Sequence, residues 1–163
     1  MIVGCATTII PHGVTKIGDW SFSGCASLTS IIIPESVTAI GRFAFNFCSS
    51  LANINIPNGV TVINHGAFFG CTSLKSITIP KSTTWISQLF LGCDSLISIV
   101  IEEGNTKYDS RDNCNAIIRT ENNELIMGCA ATIIPDSVTK IVEEAFSHLS
   151  TLSSIVIPKG VKK

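Results

Sequence analysis

A proline-marked repeat constrains the possible folds of this chain more than any other feature. The prolines stand at positions 11, 34, 57, 80, 135 and 158, so four of the five intervals between them are equal. Most of these prolines open the pattern P-x-x-V-T-x-I-x-x-x-A-F-x-x-C-x-x-L-x-x-I-x-I, and the unit after Pro80 is slightly shorter. Self-similarity at a period of roughly 20–50 residues is the signature of stacked repeats, so the sequence predicts a repeat solenoid.

The apolar columns of the repeat predict which side chains form the core. A single unit cannot bury its own apolar face, so the columns must stack into ladders on neighbouring units. The closing I-x-I alternates like a half-buried strand, V-T-x-I indicates a shorter extended segment, and A-F-x-x-C predicts one turn of helix or 3-10 helix. The recurrent core positions are Ile17, Ile40, Ile63, Ile86 and Ile141, Phe22, Phe45, Phe68, Phe90 and Phe146, and Leu28, Leu51, Leu74, Leu96 and Leu152.

One unit, over positions 102–134, departs from the period. It is longer than the regular units and holds nine of the charged side chains of the chain. Its apolar segments flank Asn122 and Asn123, and asparagine tolerates the positive φ of a tight turn, so we expect a β-hairpin here. The opening residues repeat the end of this unit, since IVGCATTIIP at 2–11 matches IMGCAATIIP at 126–135. Both ends of the chain are therefore expected to lie inside a longer array.

The same units define the predicted domain organisation. We expect a single repeat domain over 1–163, built of some six rungs of this period, with partial units at both ends. Its units are 11–33, 34–56, 57–79, 80–101, the long irregular unit 102–134, and 135–157.

The charge balance and the hydrophobic pattern exclude two classes of partner. Eleven basic and twelve acidic residues give a net charge of −1, without the basic patch that nucleic-acid binding requires. No apolar run approaches the roughly 20 residues of a membrane-spanning helix, so no membrane insertion is expected. The amino-terminal sequence MIVGCATTIIP lacks the basic and long apolar segments of a signal peptide.

The cysteines favour a structural role. Cys25, Cys48, Cys71 and Cys93 share one column between the phenylalanine and the leucine, so we expect buried thiols, with a disulfide as the alternative. Cys5 and Cys129 occupy equivalent positions and are likewise predicted to lie in the core. Cys114, in the charged unit, is the cysteine expected to differ. No C-x-x-C motif occurs, which argues against zinc.

The other chemistry-bearing residues do not form a constellation. His12, His65 and His148 fall in three different columns of three different units, so stacking keeps them apart and predicts no catalytic site. Residues 109–113 loosely resemble a calcium loop, but the glycine and glutamate that complete such a loop are missing, which favours a solvated loop. A column of threonines, Thr15 to Thr139, is expected to hydrogen-bond along the stack. The sequence predicts no cofactor, no metal and no enzyme activity.

The variable position of each I-x-I strand is the candidate interaction surface. It points away from the core, and with its neighbours it forms a nearly uncharged, mildly apolar face, of the kind that marks contact sites. β-branched residues also simply favour strands, and that alternative stays open. The candidate partner-binding residues are Ile32, Asn53, Asn55, Lys75, Thr78, Ile97, Val100 and Val156.

The repeat pattern resembles the BspA-like leucine-rich repeat family, also called the Treponema-type class, over essentially the whole chain. The resemblance implies a leucine-rich repeat solenoid whose S-I-x-I strands form a concave parallel sheet. Family members are typically surface or secreted proteins implicated in adhesion. The resemblance therefore implies a non-enzymatic module of a cell-surface or secreted adhesin that binds an extracellular protein or glycan. The alternative is a structural spacer within a larger repeat protein.

The two ends of the array predict weak self-association. An interrupted solenoid exposes the edge of its ladders, and open edges recruit other strands. The expected amino-terminal edge holds Ile2, Val3, Val14 and Ile17, and the carboxyl-terminal edge holds Ile155, Ile157 and Val161.

Overall fold

The protein folds as a β-solenoid of very short strands, and the computed structural model describes residues 9–162. The predicted repeat solenoid is confirmed, although almost none of it is helical: within the described residues, one 3-10 turn at Arg111–Asn113 is the whole helical content. No helix in residues 9–162 is long and apolar enough to cross a membrane. The strands are β1 Lys16–Ile17, β2 Ala39–Ile40, β3 Val62–Ile63, β4 Ser76–Ile79, β5 Trp85–Ile86, β6 Ser98–Ile101, β7 Tyr108–Asp109, β8 Ala116–Arg119, β9 Glu124–Gly128 and β10 Lys140–Ile141.

The V-T-x-I segments form the first parallel sheet, in the order β1-β2-β3-β5. Each isoleucine pairs with the isoleucine one repeat later, and all four isoleucines of this ladder are buried. The expected threonine ladder is present, because the hydroxyls of Thr38, Thr61 and Thr84 each donate to the backbone carbonyl of the preceding threonine at 3.2–3.3 Å. Equivalent threonines of successive repeats therefore satisfy one another's hydrogen-bonding groups along the stack.

The I-x-I segments form a second set of parallel contacts. β4 pairs with β6 in register, with Ile77 opposite Ile99 and Ile79 opposite Ile101. These four isoleucines are buried, whereas the residues between them face solvent. In the earlier units the same position forms isolated parallel bridges, from Ile9 to Ile32 and from Ile32 to Asn55.

The A-F-x-x-C segment is not a helical turn, so that expectation was wrong. Alternate backbone N–H groups donate to the next repeat, Phe22 to Ala44 and Phe45 to Ala67, both at 2.8 Å, whereas others close single turns within the segment, such as Asn46 to Phe43 at 3.2 Å. The cause is a left-handed residue at two positions of each turn. Phe43 and Phe47, for example, have φ of 51° and 54°. A right-handed helix cannot continue through such residues, so the segment forms separate single turns and alternate amides point along the stack.

Stacked phenylalanines form the centre of the core. Phe22, Phe45, Phe68 and Phe90 lie one above another, with ring centroids 5.2, 5.6 and 5.9 Å apart and nearly parallel planes. The leucine column beside them, from Leu28 to Leu96, is fully buried. The predicted apolar ladders are therefore the core of the solenoid. The last unit contributes less to it, since its equivalent members are only half-buried, namely Ile141, Phe146 and Leu152.

The irregular unit forms the expected hairpin. β8 pairs antiparallel with β9 and with β7, β9 pairs in parallel with β10, and Asn123 in the turn has a φ of 57°. The hairpin is buried on both faces: Ile117 and Met127 join the main core, whereas Ile118 and Leu125 join a second, smaller core with Val138.

The turn of the last repeat also contacts the repeat before the irregular unit. Ser150 N–H and Thr151 Oγ1 donate to Asp94 at 3.2 and 2.9 Å, across 56 and 57 residues of sequence. The irregular unit is therefore inserted chiefly on the strand side of the stack.

Candidate functional site

All eight predicted partner-binding residues lie on the solvent side of the strands. We call this surface the strand strip; it comprises the variable strand positions and the residues that flank them. Thr78 and Val100 are direct partners across β4 and β6, and Ile32 bridges to Asn55. The flanking column is continuous too, because the N–H of Ile97 donates to the carbonyl of Lys75 at 3.0 Å. The exposed members are Ile32, Asn53, Asn55, Lys75, Thr78, Ile97, Val100 and Val156.

The structure adds two residues to the strand strip that the sequence analysis missed. Ile9 and Ile133 occupy the same variable position, and their exposed fractions are 85% and 73%. The signal was present in the sequence, because I-I-P at 9–11 and 133–135 repeats the I-I-P at 32–34. With Ile32 at 82%, Val100 at 43% and Val156 at 84%, five of the seven variable positions present exposed aliphatic side chains.

The strand strip carries almost no charge. Lys75 is its one ionisable residue. The three ion pairs found within residues 9–162 all involve the irregular unit: Arg111–Asp109, Arg119–Glu124 and Lys140–Glu124. An apolar strip with a single charged side chain can bind a partner by burial of surface.

The thiols are structural. Cys48 and Cys71 donate to the carbonyls of Phe22 and Phe45 at 3.1 Å, and Cys93 donates to that of Phe68 at 3.0 Å. Burial raises the pKa of Cys48 and of Cys93 to about 12, and it raises the pKa of Cys71 further. These thiols are therefore protonated, and the thiolate is the reactive form.

The remaining cysteines largely follow the same pattern. The six cysteines of the described residues are unbridged, and Cys25, on the first rung of the column, is half-buried. Cys114 is as buried as the inner column members, so the expectation that it would differ in burial was wrong. The prediction for Cys5 lies outside the described residues. Across residues 9–162, no three His, Cys, Asp or Glu side chains come together as metal ligands.

Two histidines belong to a cluster of aromatic residues on the turn side. His65 meets the ring of Phe43 edge-on at 5.2 Å, and His148 meets that of Phe69 at 6.4 Å. Trp20 stacks on Phe43 at 4.4 Å. The histidines therefore pack against rings rather than against a nucleophile.

Two glycines make this turn-side cluster possible. A Cβ at Gly66 would lie 2.3 Å from the ring of Phe43, and one at Gly70 would lie 2.5 Å from the ring of Phe47. The ring of each phenylalanine packs on the glycine that occupies the equivalent position of the next repeat, Phe43 on Gly66 and Phe47 on Gly70. This cluster was not predicted from the sequence, because its two positions hold different residues in successive units: Trp20, Phe43 and Gly66 at one, and Gly24, Phe47 and Gly70 at the other.

Comparison with known proteins gives a family and a fold. Residues 4–117 and 127–163 match the BspA type leucine rich repeat region, in six copies. No curated protein matches the sequence.

Several solved structures share the fold. The pneumococcal vaccine antigen PcpA superposes with a TM-score of 0.71 at 24% identity, covering 90% of this chain and 38% of that one. A leucine-rich repeat protein from Bacteroides ovatus gives 0.58 at 27% identity, covering 91% and 42%. A leucine rich cell surface protein from Faecalibacterium prausnitzii gives 0.55 at 24% identity, covering 91% and 53%. This chain thus spans between 38% and 53% of the length of these proteins.

Proposed function

Since the chain belongs to the BspA-type leucine-rich repeat family, we propose that it is a non-enzymatic binding module of a bacterial cell-surface or secreted adhesin. It contacts an extracellular protein or glycan through the strand strip. The observation that carries this proposal is the column of exposed aliphatic side chains at Ile9, Ile32, Val100, Ile133 and Val156. Ile9 and Ile32 are adjacent in this column, the polar Asn55 and Thr78 stand between Ile32 and Val100, and exposed apolar patches of this kind mark interaction sites.

The chain itself argues against the alternative that these residues serve only to form strands. Asn55 and Thr78 occupy the same variable position and make the same parallel pairings as Ile32 and Val100. At Asn55 an amide side chain is thus sufficient for the isolated parallel bridge, and at Thr78 a polar β-branched side chain is sufficient for the strand. The exposed aliphatic side chains therefore need another reason, and burial against a partner supplies one.

The surface location is supported by the neighbours and not by this chain alone. One structural neighbour is a cell surface protein and another is a vaccine antigen. The non-enzymatic assignment is supported by the buried, protonated thiols and by histidines that pack against aromatic rings.

Capture of purified host-matrix proteins and of glycans on the immobilised chain tests the proposal. Ile32→Asp and Val156→Asp place a charge on the strand strip and should abolish capture, because a buried unpaired charge is strongly unfavourable. Asn58→Asp adds the same charge at an exposed position outside the strip and should leave capture intact. Equal capture by all three variants would overturn the strand strip as the binding surface. A wild-type chain that captures nothing would favour the structural spacer.

A further inference from the structure

The parallel sheet of V-T-x-I segments stops at the irregular unit. Its order ends at β5, and a separate four-stranded sheet begins at β7. The Tyr108 side chain joins the two: Ile86 N–H donates to Tyr108 Oη at 3.3 Å, and the hydroxyl donates to the carbonyl of Thr84 at 3.5 Å. A side chain, rather than a backbone ladder, therefore spans this gap.

The gap is an open cleft of about 400 Å³. This volume falls in the lower part of the range of small-molecule sites, roughly 300–1,000 Å³. Tyr108 is buried, whereas Trp85 and Lys107 stand exposed. The lining residues used below are Thr84, Trp85, Lys107, Tyr108, Arg119 and Glu121.

Trp85 is the feature that distinguishes this rung from the others. The same register position holds Lys16, Ala39 and Val62 in β1, β2 and β3, so in this sheet the aromatic residue occurs where the sheet is interrupted. Its side chain is 57% exposed. A large ring left exposed beside a polar cleft is a platform for a flat ligand.

The charges of the cleft are balanced. Arg119 is paired with Glu124, which leaves the ammonium of Lys107 and the carboxylate of Glu121 as the charged groups available to a ligand. One donor group and one acceptor group of opposite sign do not select an anion. They suit a neutral ligand whose hydroxyls both donate and accept.

We propose that this cleft binds a neutral saccharide unit, stacked on the indole of Trp85 with its hydroxyls on Lys107 and Glu121. A pyranose has an apolar C–H face that matches the negative face of an aromatic ring, and a rim of hydroxyls that matches the polar lining. The site lies apart from the strand strip. A variant of the cleft can therefore lose saccharide binding while the strand strip still binds its partner. A variant of the strand strip can likewise lose its partner while the cleft still binds saccharide.

Tryptophan fluorescence provides the first test, since the chain has only two tryptophans. In the Trp20→Phe variant, Trp85 is the sole tryptophan and can be excited selectively over Tyr108. Titration with cellobiose, maltose, lactose and N,N′-diacetylchitobiose should give a saturable change with at least one of them, with a millimolar Kd that added salt does not weaken.

Saturation-transfer NMR with the best disaccharide then assigns the site. Trp85→Ala should weaken binding at least about tenfold, Trp85→Tyr should retain part of it, and Trp20→Ala should leave it unchanged. Thermal unfolding of each variant checks that the exposed substitution leaves the fold intact.

Three results would overturn the proposal: no response to any of the four disaccharides up to about 50 mM, undiminished binding by a folded Trp85→Ala, or binding of sulfated heparin fragments only, lost at high salt.

Discussion

The regular repeats over positions 11–101 and the irregular unit over positions 102–134 achieve stability in different ways. In the regular repeats, backbone groups and side chains pair with their own copies one repeat away, as the Thr38–Thr15 and Thr61–Thr38 hydrogen bonds illustrate. In the irregular unit, hydrogen bonds between residues of different types connect the segments instead. Asn105 donates to the carbonyls of Pro80 and Thr83 at 3.1 and 2.9 Å, and Arg111 donates to Asn123 at 2.8 Å.

This difference determines where binding sites can form in such a chain. A stack of equivalent positions repeats the same backbone geometry, so the strand strip is extended, although its side chains vary between aliphatic and polar. The irregular unit interrupts the stack, and the interruption creates the cleft with its aromatic lip at Trp85. Repetition thus supplies a broad surface, and its interruption supplies a local site.

The largest expected effect breaks the regular core. Phe68 is fully buried between Phe45 and Phe90. Phe68→Ala should lower the free energy of unfolding by about 3–5 kcal/mol, because it removes buried surface and leaves a cavity. Phe47→Ala, at a half-exposed ring, should lower it far less. Urea unfolding followed by circular dichroism measures both, and equal losses would contradict a core that rests on the stacked ladder.

The next effect concerns the turns of the regular repeats. Gly66 and Gly24 have φ of 63° and 73°, but only Gly66 of these two faces an aromatic ring at clashing distance. Gly24→Ala should lower the free energy of unfolding by about 1 kcal/mol, from the left-handed backbone alone. Gly66→Ala should lower it by at least about 2 kcal/mol, because the methyl group also displaces Phe43.

The double variant Gly66→Ala with Phe43→Ala provides the control for that comparison. It should recover the part of the loss that the clash causes and keep the part that φ causes. If the free energy of unfolding does not recover in the double variant, the ring of Phe43 is not the reason that glycine is needed at position 66.

These two cases show how much of the fold the sequence carries. The isoleucine, phenylalanine and leucine ladders were predictable, because burial repeats with the proline period. The turn conformation was not predictable, because phenylalanine at positions 43 and 47 does not indicate a left-handed backbone. Only the glycines at the equivalent positions of the next repeat, Gly66 and Gly70, are typical of that conformation. The strand strip was predictable in place, yet the cleft was not, because it depends on how the irregular unit packs beside β5.

Thiol labelling sharpens the comparison between the two cores. Cys71 lies in the main core and Cys114 in the smaller second core, and both are fully buried. Neither should react rapidly in the folded protein, and Cys114 should react first as denaturant is added, because a smaller core opens at lower free energy. Mass spectrometry of alkylated peptides measures the order. Rapid native labelling of Cys71 would contradict the stacked, buried column.

The same thiols predict a pH dependence. Burial raises the pKa of Cys48 to about 12 in the folded state, above the ordinary value of 9.0. Above pH 9 the Cys48 thiol of the unfolded chain loses its proton while the buried thiol of the folded chain keeps it. The free energy of unfolding therefore has its full value below pH 9 and falls as the pH rises towards 12. Urea unfolding across this pH range measures the loss, and Cys48→Ala should reduce it while leaving the parts that Cys71 and Cys93 contribute.

The smallest expected effect is self-association through the ends of the solenoid. Of the residues expected at the amino-terminal edge, Ile2 and Val3 lie outside the described residues, Val14 is half-buried, and Ile17 is buried, so the expectation that Ile17 is exposed there was wrong. At the other end Ile157 is half exposed and Val156 is exposed. Sedimentation should show weak association that grows with concentration and that Ile157→Asp removes. A strict monomer at high concentration would refute it.

The strand strip is tested most directly by one affinity series on the captured partner. Asn55→Ile and Thr78→Val complete the aliphatic column, whereas Ile32→Thr and Val156→Thr shorten it without adding charge or changing the strand. Affinity should rise with the first pair and fall with the second, by a few-fold per side chain, because each aliphatic group buries additional apolar surface against the partner. Affinity that stays constant across all four variants would contradict the strand strip as the binding surface.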